Sequence, residues 1–301
     1  MSRWQGRVDI TPLPQPPDCW IETPPPPGQP DLIPGLLKSY GSFLITGEHE
    51  AGKTLIALEL AHGLLTGGPL WGKVELPETV QHVTYILGEH DQATLHEQWN
   101  LAGLCVPEHR LRVIPPEERR LLVRRGEMLV GNRDLYRHWC RDSQLVIFDP
   151  LSAFISGVDV ENDNIQMRTL INAMLGVCQC VLILHHMGKP SYDPREAKYV
   201  HRGKYASRGA SGIEDAVVGC FYLEEKEKDL RYRLTRVKYK GQAPSFYMLK
   251  RAGLRHTMIG GGLTQAQLSQ IQRQKIEKRW AAVRGETTQQ PTSTDVEGDT
   301  N

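Results

Sequence analysis

The sequence predicts an α/β fold with a mainly parallel sheet flanked by helices and an antiparallel extension at its C-terminal end. Three observations support this prediction. Short apolar runs alternate with helical patterns between Ser42 and Leu184, as expected when helices connect parallel strands. A glycine-rich octapeptide joins the first of these runs to the first helical pattern. After residue 217 the helical patterns stop, and three strand-like segments follow one another closely.

Each element is predicted from the spacing of its apolar residues. The parallel strands are expected at Ser42–Thr46, His82–Leu87, Arg112–Ile114, Leu145–Phe148 and Val181–Leu184. The helices are expected at Lys53–Leu65, Gln92–Ala102, Arg133–Cys140 and Asn164–Leu175. The antiparallel strands are expected at Gly219–Glu224, Arg231–Lys238 and Ser245–Leu249.

The octapeptide between the first strand and the first helix matches the phosphate-binding pattern G-x-x-x-x-G-K-[ST] in full. The loop residues, with the helical residue that follows them, are Gly47, Glu48, His49, Glu50, Ala51, Gly52, Lys53, Thr54 and Leu55. Backbone amides and the helix N-terminus would attract phosphates, Lys53 would reach the terminal ones, and the Thr54 hydroxyl would bind Mg2+. The sequence therefore predicts binding of ATP or GTP. A glycine-rich turn without a ligand is the structural alternative.

Two carboxylates follow predicted strands and are candidates for the chemistry. Asp149 ends the apolar run Leu145–Phe148, where a carboxylate beside the loop would hold Mg2+ together with Thr54. The acid that often follows such an aspartate is missing, because Pro150 occupies that position. Glu89 ends another strand, which we expect beside the loop strand, and would orient the attacking water. A purely structural role near a helix N-terminus is the alternative for Glu89.

The order of these motifs resembles the RecA-like ATPase core of hexameric replicative helicases of the DnaB type, and among them the plasmid replication helicase RepA. The resemblance covers about residues 33 to 243. It is carried by Pro34–Leu37, Tyr85–Glu89, Leu182–His186, Ala206–Ser211 and Lys238–Gly241. Glu48 and Glu50 depart from it, because relatives usually have small or neutral residues there.

The resemblance implies a ring, expected to be a hexamer, that binds ATP and Mg2+ and moves along single-stranded DNA. It implies that His186 or His185 senses the γ-phosphate, whereas a structural histidine is the alternative. Arg208, Lys238 or Lys240 would complete the site of the neighbouring subunit, because Lys53 is the only evident cation of the same subunit. Lys240 stands where the family has arginine. Partners would be replication or mobile-element proteins.

The segment after the two histidines is the predicted contact for nucleic acid. Residues 187–208 contain six cationic and two anionic side chains, a net of +4, with three interleaved tyrosines. Cations follow a phosphate backbone and aromatic rings stack on bases. The candidate contacts are Lys189, Arg195, Lys198, Arg202 and Lys204. An ordinary solvated loop is the alternative.

Composition and the chain ends set the remaining expectations. With 36 Lys and Arg against 35 Asp and Glu, the global charge predicts neither a membrane surface nor indiscriminate nucleic-acid binding. No long apolar run and no signal segment is visible, so a cytoplasmic protein is expected. We expect a proline-rich arm at residues 1–30, an ATPase domain at 31–258, and a polar helix with a disordered tail at 259–301. The main rival to a helicase is an ATP-switched DNA-binding or assembly ATPase that unwinds nothing.

Overall fold

The secondary structure confirms the predicted alternation of strands and helices. A computed structural model describes residues 31–77, 79–156, 163–186, 191–193, 198–200, 212–227, 230–239 and 244–262. The strands in chain order are β1 (Asp31–Ile33), β2 (Leu37–Lys38), β3 (Gly41–Gly47), β4 (Val83–Leu87), β5 (Leu111–Ile114), β6 (Val123–Arg124), β7 (Glu127–Met128), β8 (Leu145–Asp149), β9 (Ile155–Ser156), β10 (Cys180–His186), β11 (Ser191–Asp193), β12 (Lys198–Val200), β13 (Gly219–Glu227), β14 (Arg231–Tyr239), β15 (Phe246–Ala252) and β16 (Arg255–Gly261). The helices are α1 (Lys53–Thr66), α2 (Gln92–Leu101), α3 (Val130–Trp139), α4 (Asn164–Leu175) and α5 (Gly212–Ala216), with 3-10 turns at Pro116–Glu118 and Leu151–Phe154.

One sheet organises the described part of the chain. Its strand order is β16-β15-β14-β13-β3-β10-β8-β4-β5. The pairs from β13 through β3, β10, β8 and β4 to β5 are all parallel. The pairs from β13 outward to β16 are antiparallel. The predicted fold class is therefore confirmed, including the antiparallel extension.

Two apolar cores lie on opposite faces of this sheet. One packs the sheet against α1 and α2, and the other packs it against α3 and α4. The central strands are buried along their whole length, since helices cover both of their faces. This burial explains why their sequences are continuous apolar runs rather than alternating patterns. Because these strands pair in parallel, the C-terminal ends of β3, β10, β8 and β4 lie at one edge of the sheet.

A buried carboxylate joins the antiparallel extension to α1. Glu59 of α1 is only 4% exposed and accepts hydrogen bonds from Trp71 Nε1 at 2.9 Å and from the backbone N–H of His256 at 2.6 Å. The ring Nδ1 of His256 lies 2.9 Å from the same carboxylate. Because His256 belongs to β16, the edge strand of the sheet is held directly against the helix that follows the phosphate-binding loop.

The structure corrects several predicted boundaries and the predicted position of the strand before Glu89. The last strand, β16, runs to Gly261, so the sheet continues past the expected domain end at residue 258. Helix α3 begins at Val130 rather than Arg133, and β10 extends through both histidines. The strand that precedes Glu89 is β4, and it is separated from β3 by β10 and β8 instead of lying beside it. The predicted arm at 1–30 lies outside the described residues, as does all but the beginning of the segment 259–301.

Within the described residues, no helix is long and apolar enough to cross a membrane.

Candidate active site

The loop between β3 and α1 has the backbone geometry that its two glycines predict. A Cβ atom at Gly47 would lie 2.5 Å from the carbonyl oxygen of Leu223 on β13, so no larger residue fits there. Gly52 has a φ of +85°, in the left-handed region that glycine tolerates best. Glu50 also has a positive φ of 61°, and Glu48, His49 and Glu50 are all exposed. Glu48 and Glu50, the two loop residues that depart from the family pattern, thus project away from the core.

Lys53 lies at the start of α1 with its side chain folded back along the loop. It is 5% exposed, and its ammonium donates hydrogen bonds to the carbonyl oxygens of Gly47 at 3.1 Å and Glu48 at 2.6 Å. Burial lowers the pKa of Lys53, while the charges of Asp149, Glu48 and Glu89 oppose that shift. The two carboxylates that we predicted for the chemistry therefore both act electrostatically on Lys53.

Thr54 and Asp149, the two residues predicted to hold Mg2+, contact each other across the site. The Thr54 hydroxyl donates to Asp149 Oδ2 at 2.8 Å, and Asp149 is 6% exposed. A hydroxyl and a carboxylate are the hard oxygen ligands that Mg2+ takes, and they lie at the N-terminus of a phosphate-binding helix. The residues present therefore fit Mg2+ bound together with a nucleotide.

Tyr85 is a site residue that the sequence analysis did not single out. Its hydroxyl donates to the same oxygen of Asp149 at 2.7 Å, and its side chain is fully buried on β4. Burial, reinforced by the neighbouring Asp149, raises the pKa of Tyr85 well above its usual value, so the hydroxyl keeps its proton. A tyrosine inside a buried strand was the available signal, because a buried tyrosine hydroxyl usually has a partner.

Glu89 reaches the site from β4 despite the two intervening strands. Its carboxylate lies 3.8 Å from His186 Nε2 at the end of β10. The preceding residue, Gly88, donates its backbone N–H to the carbonyl oxygen of Asp149 at 2.6 Å, and a Cβ there would lie 2.4 Å from the Cβ of Ala153. Close packing at Gly88 therefore fixes where Glu89 leaves the sheet.

The two histidines at the end of β10 point to opposite faces of the sheet. His186 shares the face of the loop, and its ring stacks on His49 with centroids 5.5 Å apart and an interplanar angle of 24°. Burial and, next, the charge of Lys53 lower the pKa of His186, which favours its neutral ring. His185 is 1% exposed and lies among the strand residues of the other face. Of the two candidates, His186 is the one placed beside the site.

Most of the predicted trans-acting and nucleic-acid residues fall outside the described residues. These are Lys189, Arg195, Arg202, Lys204, Arg208 and Lys240. Lys198 lies in β12, which pairs with β11 as an antiparallel hairpin. Lys238 is described, and its ammonium donates to the carbonyl oxygens of Glu214 and Asp215 at 2.9 Å each. In this single chain Lys238 is thus held by its own subunit.

Comparison with known proteins identifies the family and the fold. A family model described as an AAA domain matches residues 10–192, which is more than half of the chain. A solved ATPase domain of another protein matches with a TM-score of 0.55 and 12% identity, covering 77% of this chain and 93% of that one. The flagellar accessory protein FlaH from Methanocaldococcus jannaschii matches with a TM-score of 0.46 and 14% identity, covering 72% of this chain and 88% of that one. Among curated proteins, none matches the sequence. The similarity to the solved ATPase domain confirms the RecA-like fold.

Proposed function

Since this chain belongs to the AAA domain family, we propose that it hydrolyses ATP with Mg2+ and uses the energy to move along single-stranded DNA as a ring-shaped helicase or translocase. The observation that carries the hydrolytic part is the meeting of Lys53, Thr54, Asp149, Glu89 and His186 at one edge of the parallel sheet. Ligand sites in open α/β sheets lie at this edge.

In the proposed reaction, the loop amides and Lys53 bind the triphosphate and hold its terminal phosphate near Glu89. Thr54 and Asp149 would hold Mg2+, which neutralises phosphate charge when bound. The Glu89 carboxylate orients the attacking water and accepts its proton, because it is half exposed and adjoins the site. His186 contacts Glu89 and the loop residue His49, and this supports the proposal that it responds to loss of the γ-phosphate.

The DNA-dependent part of the proposal is supported by sequence rather than by described contacts. The segment 187–208 carries a net of +4 and follows β10 directly, so a movement of His186 would reach it through the chain. The motif order resembles DnaB-type helicases, and RepA in particular. We propose a hexamer whose sites are completed by Arg208 or Lys240 of a neighbour, acting in the cytoplasm with the replication proteins of a plasmid, phage or other mobile element.

The hydrolytic assignment is tested by two substitutions with distinct outcomes. Lys53→Ala should abolish ATP binding, because it removes the ammonium beside the loop. Glu89→Gln should retain ATP binding and lose about a hundredfold or more in turnover, because it removes only the base. Binding is measured with a fluorescent ATP analogue and turnover by phosphate release. Glu97→Gln, an exposed change on α2, is the control. Turnover at the parental rate in Glu89→Gln would contradict the role of Glu89.

The helicase assignment is tested on the unmodified protein. Single-stranded DNA should stimulate the ATPase rate, and native mass spectrometry should give the mass of a hexamer. ATP should also drive unwinding of a forked duplex. ATP-dependent DNA binding without strand separation would favour the rival, an ATP-switched binding or assembly ATPase. A monomer with full ATPase activity would remove the ring from the proposal.

A further inference from the structure

Arg251 lies beside the phosphate-binding loop although it comes from the antiparallel extension. It belongs to β15 and is paired in register with His256 of β16, which contacts Glu59 of α1. A Cβ atom at Gly52 would lie 4.0 Å from Arg251 Nη1. Apart from the residues next to Gly52 in sequence, no other residue would be as near. The guanidinium therefore lies over the last glycine of the loop, where α1 begins.

Arg251 lies near the positively charged end of α1 and has no anionic partner among the described residues. The N-terminus of a helix carries a partial positive charge that favours an anion. Within the part of the chain that the structure describes, Arg251 pairs with no carboxylate; its guanidinium packs over the Tyr232 ring, 5.1 Å from the centroid. Its Nε is buried and has no hydrogen-bond partner among the described atoms. An arginine held in this position favours a bound anion.

The position of Arg251 in the sheet indicates which part of the nucleotide it would meet. Glu89 and His186 reach the loop from β4 and β10, on one side of β3. Arg251 reaches the loop from β15, on the other side of β3. With Glu89 and His186 facing the γ-phosphate as proposed, Arg251 would face the α- and β-phosphates. It is therefore separated from the position where bond cleavage would occur.

We propose that Arg251 binds the α- and β-phosphates of the nucleotide from within the same subunit. The inference rests on the proposed nucleotide site and adds a second cation to Lys53. Its guanidinium donates to phosphate oxygens in the ground state and takes no part in water attack. The Tyr232 ring packs against the guanidinium, so the arginine is positioned before the ligand arrives.

The test measures affinity for ADP and for ATP separately, with fluorescent analogues and without turnover. Arg251→Ala should weaken both affinities by the same factor, about 10- to 100-fold, as expected for a lost charge-assisted hydrogen bond. Arg251→Met keeps the aliphatic stem against Tyr232 and should show the same loss, which separates charge from packing. Arg251→Lys should fall between the parent and Arg251→Ala. Thermal unfolding without ligand checks that each variant is folded.

The matched control is Arg233→Ala. Arg233 lies on β14 of the same extension, with its guanidinium 4.2 Å from the Phe246 ring, and the variant should bind both nucleotides like the parent. If Arg251→Ala and Arg251→Met both bind ADP normally while Lys53→Ala does not, the inference is overturned and the proposed function stands. A loss confined to ATP would place Arg251 at the γ-phosphate and also overturn it. If the parent binds neither nucleotide, the proposed function fails and the inference with it.

Discussion

Asp149 receives two hydrogen bonds on one carboxylate oxygen, from the hydroxyls of Thr54 and Tyr85. The two donors come from different elements, the start of α1 and the middle of β4. Together they orient the carboxylate before any ligand is present. Partners of this kind around a metal ligand tune both its direction and its affinity for the ion. Tyr85 therefore acts on the candidate magnesium site without touching the nucleotide.

Tyr85→Phe tests this positioning role. The change removes the hydroxyl and preserves the ring, so the carboxylate of Asp149 loses one of its two observed donors. We expect the Mg2+ concentration that gives half-maximal ATPase activity to rise by roughly tenfold, with nucleotide binding in the absence of Mg2+ little changed. The measurement is a Mg2+ titration of ATPase activity at saturating ATP.

Tyr136→Phe is the control for that prediction. Tyr136 is also a fully buried tyrosine, and its hydroxyl bonds the backbone of Arg120 on the α3 side of the sheet. This variant should lose stability without altering the Mg2+ dependence. Equal Mg2+ titrations for Tyr85→Phe and the parent would show that Asp149 does not need its second donor.

Sequence patterns located the residues of this site that belong to one continuous motif or end a strand. Lys53, Thr54, Asp149 and Glu89 were predicted because each follows directly from the loop pattern or from an apolar run. Arg251 was not predicted, because its approach to Gly52 depends on the packing of β15 against a loop almost 200 residues earlier in the chain. Such contacts are set by sheet order, which local patterns do not encode.

At the scale of elements, Glu59 connects α1 to the edge strand β16 in a buried position. Three donors or ring atoms lie within hydrogen-bonding distance of its carboxylate: Trp71 Nε1, the backbone N–H of His256 and His256 Nδ1. The exposed Arg255 lies near it as well, with Nε at 3.8 Å. The contacts of Glu59 thus hold α1, the helix after the phosphate-binding loop, against the part of the sheet that contains Arg251.

Glu59→Ala should destabilise the protein by about 2–4 kcal/mol, because it leaves buried donors of Trp71 and His256 without an acceptor. Urea unfolding at pH 7 measures the free energy of unfolding. Glu59→Gln should cost less than Glu59→Ala, since its amide oxygen still accepts one of these bonds. The exposed change Glu97→Ala on α2 should stay within about 0.5 kcal/mol of the parent. If Glu59→Ala also lost no more than about 0.5 kcal/mol, water would be replacing the hydrogen bonds that Glu59 accepts.

Boundaries of elements were predicted less well than the elements themselves. The β16 segment was missed because it is an edge strand of alternating exposed residues ending in Gly260 and Gly261, with few apolar positions to reveal it. The start of α3 was placed three residues late because Gly131 interrupts the helical pattern and Leu129 provides no side-chain cap. Local propensity is weak at such ends, and packing decides them.

At the scale of the whole molecule, we expect two histidines to make the free energy of unfolding depend on pH. Burial lowers the pKa of His62, with the charge of Arg255 as the next cause, and burial followed by Lys53 lowers the pKa of His186. Below the ordinary histidine pKa of 6.5 the unfolded chain therefore binds more protons than the folded protein. These two histidines therefore leave the free energy of unfolding unaffected above pH 6.5 and lower it as the pH falls below 6.5.

We expect the free energy of unfolding to decline between pH 7 and pH 5.5, and His62→Gln and His186→Gln each to flatten that decline. Urea titrations at a series of pH values provide the measurement. The helix-capping carboxylates Asp91 and Asp163 have lowered pKa values as well, yet their contribution is lost only below about pH 4, outside this range. An unchanged slope in both histidine variants would assign the pH dependence to other groups.

The position of β3 between β10 and β13 also determines when the nucleotide site can form during synthesis. Both neighbours of the loop strand are more than 100 residues later in the chain. At about 5–20 residues per second, roughly 10 to 35 seconds pass between the synthesis of β3 and that of β13. Pairing between such distant segments is also slow to nucleate. ATP can therefore stabilise the chain only after β10 and β13 have been synthesised, and until then the first half gains no stability from its ligand.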